Sequence, residues 1–356
     1  MVRPCGIHVI DVGLIGFGLA GRAFHAPVIC RVPGLRLGAI LERSGSAAAQ
    51  AYPDVRIVRS LDELLALNSL RLVVVATPND SHYALARRCL EAGRDVLVDK
   101  PFTTTLAEAE ALLQIAKEQG RLLTVYQNRR YDGDFQKVLQ LVRTGELGRV
   151  VSFEANYDRF RPQLKPGAWR ERPGPGAGIF WDIGPHLVDY ALTLFGMPDA
   201  VTADIRITRD TALVDDTFDV TLRYPKGLRA YLRSSIVAVA PRSHLMVHGT
   251  RGAFVKQTVD PQEANLRSGR IPAEGPWGAE PEADWGVLTV AEDGQFTQRR
   301  VPSVPCDFRD FYANLRDALL GREALAVTPD WALDVMRLLE LARRSSEQRR
   351  TLALAE

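Results

Sequence analysis

The chain has 356 residues, 45 basic and 43 acidic side chains, a formal net charge of +2 and a hydrophobic content of 46%. That length predicts two domains and buries a sizeable core without disulfides or metals. The balance excludes disorder, collagen-like repeats and a small disulfide scaffold, and it offers no basic excess for nucleic acid or an anionic membrane.

Residues 8–16 read as a short buried strand, followed by a glycine-rich turn and a helical stretch from about Gly21. Residues 35–41 form a second strand. Residues 46–52 and 61–68 have helical composition, with Ser60 as N-cap of the second. Residues 71–78 are a third strand, ended by proline, and 81–93 a helix with Gly93 just past its end. A fourth strand at 95–101, a helix at 105–120 closed by Gly120, and a fifth strand at 121–127 complete the series. Strands apolar on both faces and alternating with helices predict a parallel sheet covered on both sides. Residues 7–127 thus read as one doubly wound α/β domain.

The character changes after 128. Residues 135–144 look helical, 150–160 alternate as a strand, and 186–196 make an amphipathic helix with Gly196 and Pro198 as stop signals. Alternating runs at 200–208, 217–224, 228–237, 243–249 and 252–257 predict an antiparallel sheet. Residues 260–285, rich in Pro, Gly and Glu, read as a surface excursion, and 330–348 as a helix. The second domain, 128–356, is therefore expected to be α+β with a large open antiparallel sheet. Cys5, Cys30, Cys89 and Cys306 are scattered and read as reduced thiols of a cytoplasmic protein. No apolar run approaches the ~18 residues that span a bilayer, and Asp11 breaks the N-terminal apolar run before any signal-peptide pattern forms.

Four constellations carry chemistry. Gly16-Phe17-Gly18-Leu19-Ala20-Gly21 matches G-x-G-x-x-G after a strand and before a helix. There the glycines permit a tight turn, close approach of a pyrophosphate, and close helix–strand packing. Glu42, at the end of the second strand, can bind the adenosine ribose hydroxyls and favours NAD, while Arg43 and Ser44 would suit the 2′-phosphate of NADP. Val98-Asp99-Lys100-Pro101 ends the fourth strand, where ligands of open α/β sheets bind. Only six of the 45 cations are lysines; a lysine can share a proton where arginine stays charged. In the third constellation, Asp182 and His186 stand four apart at an expected helix start, with Pro185 suited to the first helical position. A helix N-terminus would keep His186 neutral as a base, and Asp182 would hold its tautomer or bind a substrate hydroxyl; alternatively Asp182 caps the helix and His186 packs in the core. Gln127–Asp132, at the domain boundary, lines the nicotinamide end or is a solvated linker.

Together the motifs G-F-G-x-x-G, A-T-P-N-x-x-H (76–82), Lys100-Pro101, Y-x-N-R-R (126–130) and G-x-x-x-D-x-G-x-H (178–186) resemble the Gfo/Idh/MocA family of NAD(P)-dependent oxidoreductases. Within it, Y-D-R-F-R-P (157–162), W-R-E (169–171), D-x-Q-E-x-x-L-R-x-G-R-x-P (260–272) and W-G-A (277–279) are similar to the NADP-dependent scyllo-inositol dehydrogenase-like subgroup. The family usually has Glu where Asp99 stands, and the subgroup commonly has a small polar residue in place of Glu42.

The resemblance implies a Rossmann domain followed by an α+β domain whose sheet packs between subunits of a homodimer or homotetramer. It implies a catalytic set of Lys100, Asp182 and His186. It assigns cofactor contacts to Gly16, Phe17, Gly18, Ala20, Gly21, Glu42, Arg43, Thr77, Pro78, Asn79, His82, Asp99, Lys100, Pro101, Asn128 and Trp169. Tyr131, Tyr157, Arg161 and Trp169 are candidate substrate selectors beside Asp182 and His186. The expected activity is reversible hydride transfer between NAD or NADP and a secondary alcohol of a polyol or sugar, inositol-like first, with no metal required. Alternatives are an aldose or other carbonyl substrate, or a non-catalytic nucleotide-sensing regulator, which can lose the lysine or histidine that this chain keeps.

Overall fold

The computed structural model describes residues 9–165, 167–272 and 277–354. Strand β1 (Ile10–Ile15) is buried at every position, and β4 (Leu70–Val75) at all but Arg71. Burial on both faces is what a parallel sheet between two helical layers demands. With β2 (Leu35–Leu41), β3 (Arg56–Val58), β5 (Asp95–Val98) and β6 (Leu123–Val125) these strands form an all-parallel sheet in the order β3-β2-β1-β4-β5-β6. The strand order reverses between β1 and β4, which opens a crevice beyond their carboxyl ends. Three-residue β3 was too short to leave a period in the sequence.

The turn after β1 runs through a π-helical segment, Ala20–His25, into α1 (Ala26–Ile29). The other crossovers are α2 (Ala47–Ala51), α3 (Leu61–Leu65), α4 (His82–Glu91) and α5 (Leu106–Gln119). Ser60 and Thr105 accept from the amides of Glu63 and Glu108, which fixes where α3 and α5 begin.

The second domain opens with α6 (Gly133–Thr144), β7 (Val150–Asn156) and α7 (Ile179–Phe195). Its sheet continues with β8 (Ala200–Arg206), β9 (Thr217–Arg223), β10 (Arg229–Ser235), β11 (Leu245–Gly249) and β12 (Gly252–Lys256). After α8 (Gln262–Arg267) come β13 (Gly286–Glu292), β14 (Gln295–Val301), α9 (Phe308–Leu319), α10 (Pro329–Gln348) and β15 (Leu352–Ala353). The nine strands pair in the order β14-β13-β12-β11-β7-β10-β9-β8-β15. Neighbours are antiparallel except β7 and β10, so the sheet is mixed rather than purely antiparallel. Alternating burial along β10 turns Ala230, Leu232 and Ser234 inward, and Phe180 of α7 meets Phe218 of β9 edge-on on that side.

Two expectations need correction here. Helix α7 begins at Ile179, seven residues before the predicted start, so Pro185 lies inside it rather than at its first position. The run 260–285 is not merely a surface excursion, since α8 buries Gln262 and Leu266. The cores also cross the domain division. One cluster links Val98 and Val125 through Leu338 and Leu339 of α10 to Phe153, Leu187 and Val220. Another packs Phe308, Phe311 and Tyr312 of α9 against Val12, Leu14 and Val28. Among the described residues no helix is long and apolar enough to cross a membrane.

Candidate active site

A cavity of about 1060 Å³ lies at the carboxyl ends of β1, β4 and β5 and extends under α7. Its first wall is mostly backbone. Gly16 has φ +96°, and a Cβ there would stand 2.5 Å from the Ala76 carbonyl oxygen. A Cβ on Gly21 would stand 2.0 Å from the Gly16 oxygen, so the helix reaches the strand only because residue 21 has none. A Cβ on Gly18 would meet nothing within 4 Å; that glycine looks into open space at the head of the helical segment. These features fit the diphosphate of a dinucleotide. Phe17, Ala20, Thr77, Pro78, Asn79 and Asp99 line the same wall. Gly21 does not; it acts by packing beneath the turn.

At the end of β2 the Glu42 carboxylate accepts from the Ala48 amide at 3.3 Å and faces Arg59 at 3.7 Å. Arg43 and Ser44 line the cavity beside it.

Lys100 follows β5, and its Nζ donates to the Asp182 carbonyl oxygen (2.6 Å) and to Asp182 Oδ1 (3.0 Å). Pro185, inside α7, has no amide to donate to the Trp181 carbonyl, one residue before Asp182. Burial opposes the charge of Asp182, but Lys100, Arg170 and Arg159 outweigh it and hold the carboxyl well below the usual carboxylate range. His186 lines the cavity one turn on, with Nδ1 buried and unpartnered among the described residues. Burial, reinforced by the charges of Lys100 and Arg129, holds its pKa well below 6.5. Two expectations change. Asp182 makes no hydrogen bond to His186 and so does not set its tautomer; it anchors Lys100. The ring is kept neutral chiefly by burial and nearby cations, not by a helix terminus, because α7 starts seven residues earlier.

The start of α7 is set from far away in sequence. The Phe180 amide donates to Asp215 Oδ2 at 2.7 Å, and the Ile179 amide to the Asp215 carbonyl at 2.9 Å. A Cβ on Gly178 (φ +91°) would stand 2.0 Å from Asp215 Oδ1. Burial pushes the Asp215 carboxyl up to about 6.

Beneath His186 lies a buried ionic layer that sequence reasoning missed. Glu263 of α8 bonds to Arg129 and accepts from the Tyr157 hydroxyl at 3.0 Å. Arg129 also meets Asp132 at 3.1 Å. Burial opposes the Glu263 charge, yet Arg129, Arg267 and Arg159 bring its carboxyl down to about 2. The available signal was the i,i+4 pair Glu263/Arg267 flanking apolar Leu266, a short amphipathic turn inside a Pro/Gly-rich run.

Of the other expected contacts, Asn128, Trp169 and Arg161 line the cavity; Tyr131, Tyr157, His82 and Pro101 do not. Tyr131 packs edge-on against Phe311. Tyr157 is buried against the guanidinium groups of Arg129 and Arg159, each 4.7 Å from its ring centre. His82 is fully buried, its ring nitrogens 2.9 and 3.0 Å from the Pro101 and Thr77 carbonyls, and ties two cavity loops together.

A nucleotide cradle on a doubly wound sheet, with a lysine at the end of β5 meeting an aspartate and a histidine of the second domain, defines a dinucleotide-dependent oxidoreductase. The chain belongs to the Gfo/Idh/MocA family: residues 10–127 match the model of the oxidoreductase family with NAD-binding Rossmann fold, and 135–255 that of the GFO/IDH/MocA C-terminal domain. It is 42% identical to the uncharacterized oxidoreductase YdgJ of Escherichia coli, over 97% of this chain and 99% of that protein. It is 34% identical to the scyllo-inositol 2-dehydrogenase (NADP(+)) IolW of Bacillus subtilis, over 98% of this chain and 97% of that one. The solved structure of the oxidoreductase yvaA from Bacillus subtilis superposes with a TM-score of 0.94 at 34% identity, over 98% and 99% of the two chains.

Proposed function

We propose that the protein reversibly oxidises a secondary alcohol of a polyol or sugar to a ketone. The observation that supports this reading is the Lys100 ammonium held on Asp182 beside a neutral His186, in the cavity that the glycine turn lines. The bound nicotinamide supplies the hydride acceptor. His186 takes the hydroxyl proton. Lys100 donates to the same oxygen and stabilises the charge that develops on it. Asp182 keeps the ammonium aimed. The relative named as a scyllo-inositol 2-dehydrogenase supports a cyclic polyol as the first substrate to try.

NADP is accepted as well as NAD. Glu42 is engaged by Ala48 and Arg59, which blunts its repulsion, and Arg43, Ser44 and Arg59 line the place a 2′-phosphate would take. The face of the nine-stranded sheet away from α7 is the proposed subunit contact of a homo-oligomer.

The test is Lys100→Met and His186→Ala, assayed with both cofactors on a panel that includes scyllo- and myo-inositol. Each variant should lose about 10²- to 10⁴-fold in kcat while cofactor affinity, read by fluorescence titration, stays within a few fold. Near-native turnover in both variants overturns the mechanism.

A further inference from the structure

The side of the cavity formed by the second domain, into which Lys100 reaches from the end of β5, holds more positive charge than the carboxylates there neutralise. Lys100, Arg159 and Arg170 share the one carboxylate of Asp182. Arg129, Arg159 and Arg267 share that of Glu263, Arg129 meeting Asp132 as well. The remaining acids on this wall have other partners: Glu171 stands 3.7 Å from Arg209, and Asp215 accepts from the start of α7. Arg161 lines the same cavity and, among the described residues, has no carboxylate within ion-pair distance.

The backbone of Arg161 is fixed, its amide donating to the Ile236 carbonyl at 2.6 Å and its carbonyl accepting from Arg209 at 3.5 Å. Burial and the charges of Arg159 and Arg267 all work against its own charge, lowering its pKa. Arg161 is exposed at the cavity edge among like charges; such a cation concentrates anions there, and a guanidinium offers paired donors matched to a carboxylate or phosphate. The diphosphate cradle lies at the glycine turn of the other domain.

We propose that the substrate carries an acidic group, a carboxylate or a phosphate, which Arg161 receives with Arg159 and Arg267 close by, while the reacting hydroxyl lies at Lys100 and His186. The substrate class is then a sugar acid or a phosphorylated polyol rather than a neutral polyol. This rests on the dehydrogenase reading above.

The experiment compares wild type, Arg161→Gln and Lys100→Ala with NADP on three matched sets. These are neutral (scyllo-inositol, myo-inositol, glucose), carboxylate (gluconate, glucuronate) and phosphate (myo-inositol 1-phosphate, glucose 6-phosphate). The expected result is a kcat/KM at least 10-fold higher on one acidic set than on its neutral counterpart. In R161Q that ratio should fall about 10- to 100-fold, with the Kd for NADP unchanged; which acidic set responds separates carboxylate from phosphate. A preference for neutral polyols, an acid-to-neutral ratio that survives R161Q, or an R161Q defect confined to NADP binding overturns the proposal while leaving the dehydrogenase reading intact. If no set is turned over, the dehydrogenase reading fails, and calorimetry of gluconate and myo-inositol 1-phosphate with the enzyme–NADPH complex decides this one. Binding that R161Q abolishes supports it, and no binding overturns it.

Discussion

The two walls of the cavity are held in place by different physics. On the parallel-sheet side Gly16, Gly18 and Gly21 leave room for a ligand by having no side chain, and the donors are amides whose place is fixed by the turn. On the other side Arg129, Arg159, Asp182 and Glu263, met by Lys100 reaching across from the end of β5, hold one another by charge, each from a separate stretch of chain. A backbone wall fails by steric intrusion and takes cofactor binding with it. A charged wall fails by losing a partner and takes chemistry and selectivity with it, leaving the cofactor bound.

The sharpest way to separate the two walls is Gly21→Ala. Its Cβ would sit 2.0 Å from the Gly16 oxygen, a backbone atom that cannot step aside. Overpacking of this kind costs about 1–3 kcal/mol, and the displaced turn should weaken NADP binding by roughly 100-fold. Thermal melts and fluorescence titration check both; unchanged affinity would mean that the turn does not hold the diphosphate. Glu263→Gln is the counterpart on the charged wall. It leaves buried Arg129 with the carboxylate of Asp132 and the Tyr157 hydroxyl, and kcat/KM should fall about 10- to 100-fold at unaltered NADP affinity. An equal loss of cofactor affinity breaks the contrast drawn here.

The smallest effect is in pH. Burial, with Lys100 and Arg129, keeps His186 neutral below the ordinary histidine range. A base with a lowered pKa loses activity only when acid reaches that lowered value, so the acid limb of kcat/KM for alcohol oxidation should lie below pH 6.5. Initial rates across pH 5 to 8 check it, and an acid limb at or above 6.5 means that another group is the base.

The same contrast explains what was legible beforehand. The glycine turn announces itself because backbone geometry must be written at fixed spacing, and Asp182 and His186 do so because one helix face carries both. The start of α7 was misread because Pro185 looks like a first-turn proline, whereas the helix is capped by Asp215, more than thirty residues downstream. Glu263 was passed over because a six-residue helix in a Pro/Gly-rich run has no period to detect. Strand β14 is exposed at six of its seven positions, and such a strand has no apolar alternation.

Helices α9 and α10 carry a consequence for synthesis. Phe308, Phe311 and Tyr312 pack in one cluster with Val12 and Leu14 of β1 and Val28 of α1, while α10 lies against β6 and α5. A ribosome that has made the first 127 residues has therefore released every strand of the nucleotide domain with part of its oily surface still facing water. That surface is sealed only when residues 308–348 arrive, so the nucleotide domain, translated before its neighbour, is finished only after it.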